Sequence, residues 1–532
     1  MVFTSSEFIL FLAAVFVLYY AIPPKRQKAL QWKILLAASG FFYYMTGVSN
    51  LIYIGVTIVT TYSASLVIGK LLDAQEQFVT KCKNTPDIPK TETKAKIKAY
   101  KNQNNKKRLF LLTVCLLINF GLLGIIKVNW LAILGASFYI FRSMSYIIDV
   151  HRAKFKPLGN DCIIGGLPKF ALFVSFFPLI MQGPITRYNE TAPALFGGNR
   201  FDFQKVSFGV QRMLWGFFKK LVIADRLNVA VITLCNDPEQ YGGIYALLAM
   251  LFYAITLYAD FTGGIDITIG IGEALGIPIA ENFNRPFLSR NIFEYWRRWH
   301  ITMGTWFKDY LFYPLSVCKP MLKFSGFTRR YFGEVGKRIP VHIVTLVTWF
   351  ATGIWHGFSW NFIVWGLLNG VVIIISTESE PLYRRFNNRF AFTKTAGYAC
   401  FEVFRTFWLM CFIRSFDCYI GVRTTLSVHL SIITNFGWKK FTTEGLAGLG
   451  LTNADYAIVA AGVVALIAVS CIKTKLNKLK DTTDEVIGVR QWLSGKPLPF
   501  RFAVYGTLLF GIIIFGVYGF GYNAQQFIYT RF

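Results

Sequence analysis

His356 stands in an almost wholly apolar stretch, Trp349-Phe350-Ala351-Thr352-Gly353-Ile354-Trp355-His356-Gly357-Phe358-Ser359-Trp360, in a chain of 532 residues with only five histidines. An imidazole set among such side chains at membrane depth is costly, and that cost points to proton chemistry. Gly353 and Gly357 on either side allow backbone or a substrate to approach closely. The competing reading makes His356 interhelical glue, hydrogen-bonded to a neighbouring helix. His300 is the second candidate. It lies within residues 293–310, whose spacing predicts a single amphipathic helix of period 3.6. Phe293, Trp296, His300, Met303, Gly304 and Phe307 then share one face, and Glu294, Arg298, Thr302, Thr305 and Asp309 share the other. His300 is thus expected to look into protein or a cavity. The alternative is an interfacial helix whose histidine satisfies a backbone carbonyl.

The elements that must position these residues are membrane spans. The chain is 54% hydrophobic and only 16% charged, against roughly 25% charged in soluble domains. Apolar runs of near-spanning length recur throughout, the clearest at 8–22, 34–45, 51–68, 109–126 and 130–148, with later ones at 170–181, 206–232, 244–269, 341–355, 362–375, 395–413, 456–472 and 502–518. They predict an all-α polytopic integral membrane protein with about 11–13 transmembrane or re-entrant helices. The net charge of +28 gathers in loops between apolar runs, the pattern of a positive-inside bias rather than of a nucleic-acid partner. Four basic segments, 25–28, 70–108, 329–338 and 473–480, read as cytoplasmic, which puts both termini on the extracytoplasmic side. Residues 70–108, interrupted by Pro86 and Pro89, are expected to form a flexible loop. The more polar stretch 416–455 reads as an external loop, leaving 456–532 as C-terminal spans with an external tail. The nine cysteines contain no Cys-x-x-Cys pair, so neither a disulfide framework nor a metal site is expected. Cys115, Cys400 and Cys411 read as buried packing residues. Asp260 and Asp266, costly inside an apolar run, are expected to pair with basic residues in structural roles. Lys219 and Lys220 are expected to snorkel.

Taken together, Tyr295-Trp296-Arg297-Arg298-Trp299-His300 and Gly353-Ile354-Trp355-His356-Gly357 resemble the signature of the membrane-bound O-acyltransferase family. The likeness extends to Ser137-Phe138-Tyr139 with Ser145-Tyr146-Ile147-Ile148-Asp149-Val150, and to Phe176-Phe177-Pro178 with Gly183-Pro184-Ile185. Leu214-Trp215-Gly216-Phe217-Phe218-Lys219-Lys220 and Tyr258-Ala259-Asp260-Phe261-Thr262-Gly263 also match. These motifs run in order through roughly residues 1–415, read as the catalytic membrane core, and are most similar to the bacterial alginate and peptidoglycan O-acetyltransferase branch. One departure is Asn369, where alginate-type relatives carry a second histidine, so Asn369 is set aside as a catalytic residue.

The resemblance implies helices around a central acyl-transfer tunnel, with His356 catalytic and His300 assisting. Imidazole suits the role, since acyl transfer to a hydroxyl needs a base near neutral pH, and a dry cavity keeps a histidine neutral. Trp296, Arg297, Arg298 and Trp299 then shape a cytoplasmic mouth for an anionic donor, acetyl-coenzyme A or another acyl thioester. Lipid-headgroup contact is the plain alternative for the two arginines. No bound cofactor and no metal are implied. The last residues, Phe527-Ile528-Tyr529-Thr530-Arg531-Phe532, resemble a tail motif of related acylation systems. Phe527 and Phe532 frame Tyr529, whose phenol, with a pKa near 10, makes a reactive ester. Tyr529 would relay the acyl group to an extracytoplasmic SGNH-type acyltransferase that modifies a cell-envelope or exported polysaccharide, the whole residing in a bacterial inner membrane. The rival readings are D-alanyl transfer to teichoic acid, a proton-coupled transporter or flippase of an acyl carrier, and a scaffold that docks an envelope enzyme.

Overall fold

A computed structural model describes residues 2–84, 89–128, 133–159, 163–478 and 488–518. Phe527, Tyr529 and Phe532 lie outside the described residues. Among the described residues every regular element is helical, and the β-type pairing is an isolated bridge between Phe283 and Trp299. Eight of the described helices are long and apolar enough to cross a bilayer, or nine if the bent pair Ser6–Tyr20 and Pro24–Thr46 counts as one span. The chain is an all-α, multi-pass membrane protein. Other apolar runs fold as shorter or interrupted helices. Residues 206–232, for example, are divided by a π-helical segment, Phe218–Ala224.

The chain divides into two compact units. The first comprises Met1–Lys205 and Leu275–Ala280. Its longest elements are the helices Val48–Lys83 and Lys90–Val128. They account for most of residues 70–108, which therefore form a helical hairpin rather than the expected flexible loop. Phe78 stacks on Tyr100 at 4.1 Å, and Asn104 Nδ2 donates to the Leu71 carbonyl at 2.6 Å. Lys, Glu, Gln and Ala are strong helix formers, so a charged sequence continues a helix into water as readily as it forms a loop. Pro89 stands just before the second helix, where its missing N–H costs nothing.

The second unit comprises Val206–Ala274 and Glu281–Phe532. Its centre is the helix Ile244–Ala274, apolar on nearly every face and buried along most of its length. The expected pairing of its two carboxylates is present. Lys220 Nζ lies 2.6 Å from Asp260 Oδ1 and 2.7 Å from Asp225 Oδ1, while Lys219 Nζ lies 2.6 Å from Asp266 Oδ2 and Arg212 Nη2 2.9 Å from its Oδ1. Lys219 and Lys220 do not snorkel, contrary to expectation; both are buried in the π-helical segment. A carboxylate at that depth must meet its cation there, because an unpaired buried charge is far costlier than a paired one.

Two cysteine expectations are corrected. Cys235 and Cys418 form a disulfide across 183 residues of sequence, since the fold brings the ends of helices Asp225–Asn236 and Ala396–Cys418 together. Cys400 is exposed rather than buried, while Cys115 and Cys411 are buried. Residues within 416–455 are not a bare loop but carry the short helices Val422–Thr434 and Trp438–Glu444. Tyr241 and Tyr245 pack in a cluster with Val428 and Leu449 there.

Replacing Lys220 with Met leaves Asp260 and Asp225 without their shared cation. The expected loss of stability is about 3–5 kcal/mol, seen as a lower melting midpoint of the detergent-solubilised protein. An unchanged midpoint would show that the pairing does not hold the two helices.

Candidate functional site

Residues 293–310 do not form the single helix that their periodicity predicts. The first helix, Ile292–Arg298, ends at Trp299, which is extended. His300 then adopts a left-handed conformation, φ 48° and ψ 51°, before a second helix, Ile301–Phe307. The cause lies in the preceding segment. Asn284 N donates to the Arg298 carbonyl at 2.9 Å, and Ile301 N donates to the Asn282 carbonyl at 3.0 Å. These bonds draw the backbone out of the helix and into the Phe283–Trp299 bridge. The side-chain oxygen of Asn282 then accepts from Thr302 N at 3.0 Å and from Thr302 Oγ1 at 2.9 Å. It thereby caps an amide that the new helix start would leave unsatisfied.

The same oxygen lies 3.3 Å from His300 Nδ1. The Thr302 backbone amide can only donate, so this Asn282 atom is an acceptor and His300 Nδ1–H donates to it. Nε2 therefore keeps its lone pair. A left-handed non-glycine residue costs about 1–3 kcal/mol and persists only where its surroundings hold it. His300 is 1% exposed, with its ring edge-on to Phe261 at 4.9 Å. Burial, reinforced by the charge of Arg414, lowers its pKa to about 3. His300 is therefore neutral at physiological pH.

His356 ends the helix Lys319–His356, which is broken at Gly333. The chain turns back at once into Trp360–Glu378, and two glycines set how closely these helices approach. A Cβ on Gly353 would lie 2.4 Å from the Phe362 carbonyl oxygen, and one on Gly366 would lie 2.4 Å from that of Trp349. This contact brings Trp365 edge-on to the His356 ring at 4.7 Å.

His300 and His356 line one small cavity of about 10 Å³, roughly the space of a single water. Trp296, Trp299 and Trp365 form its aromatic walls, and Arg414 and Asp417 are its charged groups. Trp296 Nε1 donates to Asn369 Oδ1 at 3.1 Å. Asn369 thus orients a wall of the cavity and does not itself line it. Arg297 and Arg298 are not brought to the cavity. Arg297 is exposed, and Arg298 pairs with Glu294 at 2.5 Å. Arg414 and Asp417 escaped the sequence reading because they fall just beyond the apolar run 395–413. Their signal was an opposite-charge pair three residues apart at the end of a span. Among the described residues no group of three or more His, Cys, Asp or Glu side chains could hold a metal ion.

Residues 96–329 match the model of the membrane-bound O-acyltransferase family, a stretch that contains His300. Over that stretch, less than half of its length, the chain is similar to the membrane-bound O-acyltransferase family. The chain is also similar to a protein named probable alginate O-acetylase AlgI from Pseudomonas fluorescens. It is 36% identical over 278 residues, covering 51% of each chain. A peptidoglycan O-acetyltransferase of Helicobacter pylori is 27% identical over 330 residues, covering 55% of this chain and 60% of the relative. A teichoic acid D-alanyltransferase of Bacillus subtilis is 26% identical over 261 residues, covering 48% and 62%. The chain thus spans about half the length of the alginate O-acetylases it matches. These relatives are named for transfer to a polysaccharide or cell-wall polymer, most often of acetyl groups.

The neutral state of His300 has a consequence for stability. The unfolded chain takes up a proton on this residue near pH 6.5, whereas the folded site resists protonation until about pH 3. Between these values the unfolded state binds more protons, so stability contributed by this residue falls as the pH falls through that window. Wild type is expected to lose about 2 kcal/mol more than His300→Asn on going from pH 8 to pH 5. Thermal melts of both proteins across that range would reveal it, and parallel pH dependences would refute it.

Proposed function

We propose that this chain is a membrane O-acyltransferase. It moves an acyl group, acetyl in the first place, from a cytoplasmic thioester donor such as acetyl-coenzyme A toward O-acylation of a cell-envelope or exported polysaccharide. The observation that carries this reading is the meeting of His300 and His356, from separate elements, at one aromatic-walled cavity. His356 is the general base that takes the proton of the attacking hydroxyl. His300 is neutral, with its Nδ1 committed to Asn282. It assists as a fixed polar group rather than as a proton donor. The relatives named as O-acetylase and O-acetyltransferase favour acetyl as the group transferred.

The proposed acceptor arrives from the extracytoplasmic side. Tyr529, framed by Phe527 and Phe532, takes the acyl group as a phenyl ester and hands it to an SGNH-type transferase outside. Coenzyme A then never crosses the membrane. The disulfide supports this orientation, because such bonds persist in oxidising compartments. Cys418 adjoins the cavity residue Asp417. The orientation also agrees with the basic segments 25–28 and 329–338 on the cytoplasmic side of a bacterial inner membrane. Trp296 and Trp299 belong to the donor's path. Arg297 and Arg298 serve the donor only at its entrance, as cations for its phosphate groups.

In proteoliposomes supplied with radiolabelled acetyl-coenzyme A, His356→Ala is expected to lower acetyl transfer by about 10²–10⁴-fold. Wild-type rates in that variant would remove His356 from the chemistry. For the tail, mass spectrometry of the intact protein after exposure to donor should find an acyl adduct on Tyr529. Tyr529→Phe should abolish polymer acylation in cells, and normal acylation by that variant would sink the relay.

A further inference from the structure

The Arg414–Asp417 salt bridge does not use every polar atom of its two residues. Both side chains are buried on the helix Ala396–Cys418, with Nη1 of Arg414 lying 3.4 Å from Oδ2 of Asp417. Nε of Arg414 donates to Tyr295 Oη at 3.1 Å. The guanidinium carbon lies 4.0 Å from the ring centroid of Trp299, which stacks in turn on Tyr295 at 5.7 Å. The planar group is thus held by one edge, one amine and one face, the geometry to which arginine is suited and lysine is not. Among the described residues the hydrogen bonds of Arg414 run from Nε and Nη1 and not from its remaining nitrogen, Nη2. Oδ1 of Asp417 is buried and likewise without a hydrogen-bond partner. A pair kept for stability alone satisfies its remaining donors and lone pairs, because orphaned buried polar atoms are costly. Here an open donor and an open acceptor belong to residues that line the cavity of His300 and His356.

Other donors at this cavity are engaged or uncharged. Trp296 Nε1 is taken by Asn369, and His300 Nδ1 by Asn282. Trp365 Nε1 has no acceptor but carries no charge. We propose that Arg414 is a catalytic residue of the acyl transfer, its Nη2 donating to the acyl carbonyl oxygen and stabilising the charge that develops there. Asp417 is the positioning residue that holds the guanidinium with Nη2 free. This inference rests on the acyltransferase reading above. In the step, the acceptor hydroxyl oxygen bonds to the thioester carbonyl carbon while His356 takes the hydroxyl proton. The carbonyl π-electron pair moves onto the oxygen facing Arg414. Collapse of the tetrahedral intermediate returns that pair, breaks the carbon–sulfur bond and releases a thiolate, which takes the proton from His356. The products are an oxygen ester and a free thiol, with no oxidant or further reactant. A charged donor fixed beforehand in a dry site is well suited to such stabilisation.

The test compares acetyl-coenzyme A with its dithioester analogue in proteoliposomes holding the full chain. Sulfur in place of the carbonyl oxygen is a weaker acceptor, so an enzyme that uses Arg414 in this way prefers the oxygen donor. Arg414→Gln is expected to lower kcat by about 10²–10³-fold with KM little changed, and to collapse the oxygen-over-sulfur preference. Arg414→Lys, which keeps the charge but loses the fork, should recover only part of both. Asp417→Asn preserves shape and should lower kcat and the preference less than Arg414→Gln does, so it carries the test if the latter fails to fold. A full oxygen preference in Asp417→Asn or Arg414→Gln, at whatever rate, would overturn the inference. Wild-type kcat in Arg414→Gln beside an inactive His356→Ala would overturn it alone. No acetyl transfer by the wild-type protein would overturn the acyltransferase reading with it.

Discussion

A left-handed residue in an otherwise helical stretch must be held by its neighbours, and at His300 the backbone bonds of residues 282–284 are joined by one side-chain oxygen atom. Oδ1 of Asn282 takes the amide and hydroxyl of Thr302 and the Nδ1 proton of His300. The three bonds do different work. One caps the second short helix, one ties its first turn in place, and one sets the imidazole tautomer. Without the cap, the break after Arg298 would leave unsatisfied amides in a buried place. Without the break, His300 would follow the helical wheel. The backbone strain and the ring's orientation therefore share a cause.

His356 is positioned by a different physical means. Its helix ends where the chain reverses, and the reversal is tight because Gly353 and Gly366 let two backbones approach to distances a Cβ would forbid. Trp365 is thereby set against the imidazole, and Trp296, Trp299 and Trp365 wall the cavity. An aromatic enclosure excludes water and strengthens any electrostatic interaction inside it. The carboxylates that would disturb this balance are neutralised elsewhere. Asp260 and Asp266 are locked to Lys220, Lys219 and Arg212 along the central helix. Arg414 and Asp417 are the charged pair left adjoining the cavity.

Much of this was legible in the chain. Apolar runs at bilayer length announced the spans, since a backbone in lipid must satisfy its own hydrogen bonds. Asp260 and Asp266 announced their pairing by cost alone. The failures are instructive in the same terms. Residues 70–108 carry the composition of a soluble helix as much as that of a loop, and tertiary contacts such as Phe78 on Tyr100 and Asn104 on the Leu71 carbonyl distinguish the two. Lys219 and Lys220 sat within reach of an interface on paper, yet the depth of Asp260 and Asp266 drew them inward.

The sequence by itself determined the helical, multi-pass class and the two histidines worth following, because hydrophobic cost and imidazole chemistry are properties of residues and of short windows. It also determined that the two buried carboxylates needed cations. Only the tertiary structure decided that residues 293–310 break at His300, because the breaking group, Asn282, acts from outside the helical window. Only the fold joined Cys235 to Cys418, and brought Arg414 and Asp417 to the histidines. Those contacts link residues far apart along the chain, and no local periodicity encodes which distant side chains will share a cavity.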